Sequence, residues 1–147
     1  MTMVRAQMAE QLSMGKREHM EVAFVVGESY EVKVRNHRVV VDQPSGLGGQ
    51  DTAPTPTELF VASLATCVAF YAGRYLTRHG LSRDGLSVSV EYQMATDRPA
   101  RVAAVRLTVY APADLPAERR AALSAVVSHC TVHNSLIQAP SVAIDVV

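Results

Sequence analysis

Thr55-Pro56-Thr57-Glu58-Leu59-Phe60-Val61-Ala62-Ser63-Leu64-Ala65-Thr66-Cys67-Val68-Ala69-Phe70-Tyr71 is the stretch whose reading decides the fold. Thr55 suits a helix N-cap. Pro56 fits the first helical position, where its missing N–H costs nothing, and Glu58 completes a Thr-x-x-Glu capping box. The pattern predicts a helix running to about His79. Gly80 supplies the left-handed stop, and Arg74, Arg78 and His79 complement the C-terminal dipole. The first four turns are apolar nearly all round, which predicts a buried central helix. Many of its residues are small, so other elements can approach it closely.

Upstream, three short β candidates precede the helix. Val22–Val26 is a compact apolar run, and Tyr30, Val32 and Val34 alternate with Glu31, Lys33 and Arg35 as in a strand with one wet face. Arg38–Val41 follows Asn36-His37, a dipeptide suited to a tight turn. Together they predict an N-terminal antiparallel sheet. Gln43–Pro56, punctuated by four prolines and glycines in its first seven residues, reads as a long irregular loop of the kind that carries function.

Downstream, Leu86–Met94 and Val102–Tyr110 alternate and predict a second hairpin, linked through Asp97 and Pro99. Leu115–His129 reads as an amphipathic helix, Thr131–Gln138 as a short helix and Val142–Val146 as a last strand. Strands, long helix, strands, helix and strand make an α+β chain with helices against antiparallel sheet. Residues 1–19 read as a flexible N-terminal tail and 20–147 as a single domain.

The chain has 147 residues and is 48% hydrophobic, enough for a core without metal or disulfide staples. Lys plus Arg and Asp plus Glu stand at 14 each, so no net field steers the protein toward nucleic acid or an anionic membrane. The first residues lack the apolar run of a secretory signal, and Leu59–Gly73 is short for a bilayer span. A cytoplasmic protein is the expectation, with no nucleic-acid or membrane partner. There, two cysteines are reactive or simply buried rather than a static staple.

Cys67 lies in the helix middle, where the dipole effect has faded, so an activated thiolate there needs a cation or donor from another element. As a buried thiol it packs as a small hydrophobe. Cys130 opens the segment Cys130-Thr131-Val132-His133, and a helix starting there would aim free N–H groups at its sulfur and favour the thiolate. His129 and His133 flank it as surface histidines, and no CxxC or HExxH spacing marks a metal site. No nucleotide motif or nucleophile elbow occurs.

Two stretches together identify a relationship. Gly48-Gly49-Gln50-Asp51-Thr52-Ala53-Pro54-Thr55-Pro56-Thr57-Glu58-Leu59-Phe60, followed by Leu64-Ala65-Thr66-Cys67, resembles the first signature of the OsmC/Ohr superfamily, the osmotically inducible and organic hydroperoxide resistance proteins. His129-Cys130-Thr131-Val132-His133-Asn134-Ser135-Leu136 resembles the second. The resemblance runs in order over residues 20–147 and is closer to the broad OsmC-like branch.

The resemblance implies an intertwined homodimer with antiparallel sheets packed around paired central helices. It also implies organic hydroperoxide reduction, with Cys67 as the peroxidatic thiol and Cys130 as the resolving one. A dithiol reductant, such as a lipoylated protein, then resets the pair. No resident cofactor or metal is implied. In the family pattern a carboxylate orients an activating arginine. Here that carboxylate position is Thr57, with Glu58 beside it, and the turn Gly27-Glu28-Ser29 carries no arginine. Glu58 and Arg38 are the candidate supporting residues, with Arg35 also near. A stress or ligand-binding protein with structural cysteines is the second reading, and another thiol reaction such as disulfide exchange or hydrolysis the third.

Overall fold

The computed structural model describes Gly15, Lys16 and residues 18–147; the expected N-terminal tail lies mostly outside the described residues. The chain divides into two compact units, one taking the chain up to Thr55 with Ala139–Val147, the other Pro56–Gln138.

In the first unit β1 (Glu21–Val26), β2 (Ser29–Val34) and β3 (His37–Val41) form an antiparallel sheet in that order. Gly27 stands at φ 57 in the tight β1–β2 turn, a conformation glycine adopts without steric cost. Phe24 pairs with Tyr30 across the hairpin, edge to face at 5.8 Å. The β2–β3 turn falls at Arg35-Asn36, one residue earlier than the dipeptide read from sequence, with Arg35 itself at φ 53.

Asp42, at the end of β3, organises the long loop. Its carboxylate is buried and accepts from the backbone N–H of Gln43 (2.8 Å), Gln50 (3.2 Å) and Thr52 (3.1 Å) and from Thr52 Oγ1 (2.8 Å). The N–H groups of Thr52 and Gln43 lead in holding its pKa down, to about 2 from an ordinary 3.8. The loop is closed further by Asp42 N–H donating to Pro54 O and Asp51 N–H to Gln43 O. Gly49 is required here, since a Cβ would collide with the Gln43 carbonyl.

In the second unit α1 (Pro56–Arg78) packs against a hairpin of β4 (Ser87–Met94) and β5 (Val102–Tyr110) and against α2 (Arg120–Val127) and α3 (Thr131–Ile137). The hairpin alternates as its sequence does: Val88 and Val90 of β4 and Val105, Leu107 and Val109 of β5 are the half-buried positions. One cluster joins Ala72, Tyr75 and Leu76 of α1 to Leu115 and Leu123. Leu76 is wholly buried, and such burial contributes roughly 1.5–3 kcal/mol. A second cluster joins Leu64 and Val68 to Cys130.

Three expectations change. Within this chain α1 buries one side only: Phe60 is 45% exposed and Phe70 53%. The amphipathic helix starts at Arg120, not Leu115, because Leu115 precedes a proline and Pro116 is extended (ψ 139), leaving only a 3-10 turn at Ala117–Arg119. Val142–Val146 forms no strand. Val142, Ile144 and Val146 alternate as strand residues do, yet all are exposed and, among the described residues, no strand pairs with them. By length and composition α1 could cross a membrane; here its buried side forms the core of its own unit.

Candidate active site

Cys67 projects from the middle of α1, and Cys130 stands at the N-cap of α3 in extended geometry (φ −69, ψ 153). Both are free thiols; Cys130 is wholly buried and Cys67 half-buried. The fold brings them together. Cys67 packs against the cluster that contains Cys130, and the two thiols influence each other electrostatically.

Cys130 Sγ accepts the backbone N–H of His133 at 3.4 Å, so the sulfur caps α3 as the sequence suggested. The electrostatic outcome is the reverse of the expectation. Burial pushes the Cys130 pKa up and the neighbouring Cys67 adds to the rise, while the His133 N–H opposes them without prevailing. The surroundings explain this: Cys130 shares a buried cluster with Leu64 and Val68, against which Val88, Leu107, Val109 and Val127 pack. Cys130 therefore stays a protonated thiol, and the half-buried Cys67 is the more accessible of the two.

Several of the same side chains, among them Leu64, Val68, Leu107 and Val127, also wall a groove of about 750 Å³ bounded by α1, β5, α2 and α3. Its lining is mostly apolar, with Arg120 and His133 as its charged or titratable members. That size suits a small organic molecule. His133 Nδ1 lies 2.6 Å from Ser128 O; the carbonyl can only accept, so Nδ1 carries the proton. No three His, Cys, Asp or Glu side chains converge as metal ligands among the described residues.

Of the candidate supporting residues, Glu58 shares the unit of the two cysteines and Arg38 does not. Glu58 sits in the first turn of α1. Nine residues of helix place it about 13.5 Å down the axis from Cys67 and half a turn around, on the opposite face. Arg38 belongs to the other unit, where its Nη1 donates to both Glu31 carboxylate oxygens, at 2.9 and 3.1 Å.

One pair escaped the sequence reading. Tyr71 Oη lies 3.0 Å from Thr131 Oγ1, joining the residue one turn beyond Cys67 to the residue after Cys130. The available signal was a phenol within an otherwise apolar run, since a partly buried hydroxyl seeks a partner.

A long helix carrying one thiol, packed on an antiparallel hairpin and capped by a short helix carrying a second thiol, defines an α+β dithiol protein. The sequence profile of the OsmC-like protein family matches residues 48–145, and the chain belongs to that family. Solved structures share the fold. One from Psychrobacter arcticus, named for an osmotic stress induced and detoxification response, has 22% identity over 82% of this chain and 89% of its own, with a TM-score of 0.74. An organic hydroperoxide resistance protein OsmC from Legionella pneumophila has 19% identity over 82% and 89%, with a TM-score of 0.62. An OsmC like protein from Mycoplasma pneumoniae has 16% identity over 86% and 91%, with a TM-score of 0.68. A search among curated proteins finds no match to this sequence.

Proposed function

We propose that this chain is a thiol-dependent peroxidase that reduces organic hydroperoxides. The observation that carries the reading is the packing of a half-buried Cys67 against a wholly buried, protonated Cys130. The Cys67 thiolate attacks the distal oxygen of ROOH and breaks the O–O bond. Cys67 becomes a sulfenic acid, and the alkoxide leaves and takes a proton to give ROH. The Cys130 thiol then condenses with the sulfenic acid, forming the disulfide and releasing water. A dithiol reductant, free or lipoylated on a protein, exchanges with the disulfide and returns both thiols. Family membership supports the chemistry, and the apolar groove, which shares Leu64 and Val68 with the Cys130 cluster though neither cysteine lines it, offers room for an organic substituent.

The working form is a homodimer in the cytoplasm. Phe60 and Phe70 on α1, and Val22, Phe24 and Val26 on β1, are exposed apolar side chains that a second copy would cover. Thiol titration with Ellman's reagent, before and after a sub-stoichiometric pulse of cumene hydroperoxide, tests the reading. Loss of two thiols per peroxide supports it, and no loss contradicts it.

The groove favours a second reading: a stress protein that binds an apolar ligand, with cysteines serving only as packing. In that case a fluorescent fatty-acid analogue binds while peroxide leaves both thiols intact.

A further inference from the structure

We propose that Tyr71 is a positioning residue for the thiol pair, acting through its hydroxyl contact with Thr131. The proposal rests on the peroxidase reading above.

Tyr71 follows Cys67 by four residues on α1, so the two side chains lie one above the other on one helix face. Thr131 follows Cys130 directly and is the first residue of α3. The 3.0 Å contact between their hydroxyls therefore joins the same two segments that the thiols must join, one step removed on each.

That tie matters because α3 has little else to hold it to α1. The helix is seven residues long and none of them is buried. Leu136 and Ile137 on its last turn are exposed. His133 Nδ1 to Ser128 O and Asn134 Nδ2 to His129 O fasten α3 to the turn before it; toward α1 its anchorage is the Cys130 side chain in its apolar cluster, half-buried Val132 and the Tyr71–Thr131 contact. A segment with few buried apolar contacts opens locally at small cost.

Condensation demands that Cys130 Sγ attack the Cys67 sulfenic sulfur, forming S–S and expelling the hydroxyl as water. Its rate depends on how much of the time the α3 N-terminus is seated against α1. In the first step the bonds made and broken are those of Cys67 and the peroxide, and neither hydroxyl of the Tyr71–Thr131 pair takes part or lines the groove. The Tyr71 hydroxyl thus serves the second step and spares the first.

The experiment uses the full chain as wild type, Tyr71→Phe, Thr131→Val and Thr131→Ser. Each is pulsed with cumene hydroperoxide, quenched at intervals, and assayed for Cys67 sulfenic acid by dimedone adduct mass and for disulfide by thiol count. Tyr71→Phe and Thr131→Val are expected to form sulfenic acid at the wild-type rate but the disulfide roughly fivefold more slowly, the scale of one hydrogen bond. Sulfenic acid accumulates in both, while Thr131→Ser, which keeps the hydroxyl, behaves as wild type. A purely structural lesion would slow both steps and would not be relieved by serine. If wild type forms its disulfide and Tyr71→Phe forms it equally fast, the positioning role is overturned alone. If wild type forms no disulfide, the peroxidase reading falls and the positioning role with it.

Discussion

The backbone N–H of His133 donates to Cys130 Sγ across 3.4 Å, making a buried thiol the N-cap of α3. One sulfur thus does two jobs. It satisfies a helix-end donor, and it fills an apolar niche between α1 and the β4–β5 hairpin.

The two jobs separate by substitution. Cys130→Ser keeps an oxygen acceptor at the cap, whereas Cys130→Val keeps an apolar side chain and removes the acceptor. Loss of an N-cap costs about 1 kcal/mol, and the extra branch in a packed niche adds strain. Cys130→Val is therefore expected to be the less stable of the two in urea unfolding, by about 1 kcal/mol or more. A valine variant as stable as wild type would mean that the cap contributes nothing.

Accessibility and pKa together predict unequal thiol labelling. Cys130 is wholly buried and its pKa is raised, first by desolvation; Cys67 is half-buried. Iodoacetamide at pH 7 should modify Cys67 and leave Cys130 intact in peptide mass maps. The sign for stability follows from the same shift. A folded-state thiol held above its ordinary value contributes stability below that value, and the contribution fades as the unfolded chain ionises above about pH 8.5. Cys130→Ala should therefore flatten the alkaline end of the stability profile.

Asp42 makes the opposite prediction at the acid end. Four donors, three from backbone and one from Thr52 Oγ1, hold its pKa near 2. A depressed carboxylate contributes stability above its unfolded pKa, and loses it as pH falls from about 4 toward 2. Asp42→Asn is expected to be less stable than wild type at pH 6, with the gap in melting temperature closing below pH 4. A gap that stays constant down to pH 2 would contradict the role assigned to the charge.

Much of the scaffold was legible because its signals are local. The helix start at Pro56 with Glu58 in its first turn, the glycine stop at Gly80 and the alternation in Ser87–Met94 and Val102–Tyr110 each follow from neighbouring residues. What failed depends on distant partners. Val142, Ile144 and Val146 have the alternation of a strand, but a strand also needs an edge to pair with, and none among the described residues meets it. The sidedness of α1 was hidden for the same reason: an all-apolar surface does not say which face its own chain covers.

The site divides along similar lines. The cap at Cys130 was readable from its position before a short helix. The direction of its pKa was not, because the valines and leucines around it come from α1, β4, β5 and α2. Tyr71 read as one more apolar helix residue, since its partner Thr131 lies sixty residues away. The half-turn between Glu58 and Cys67 was available from helix geometry alone.

The most direct test of the central claim is steady-state consumption of cumene hydroperoxide and hydrogen peroxide with a dithiol reductant, by wild type, Cys67→Ser and Cys130→Ser. The account predicts turnover by wild type with preference for the organic peroxide. It also predicts no reaction in Cys67→Ser and a single turnover, stalled at the sulfenic acid, in Cys130→Ser. Equal, slow consumption by all three proteins would contradict it, leaving the paired thiols as packing.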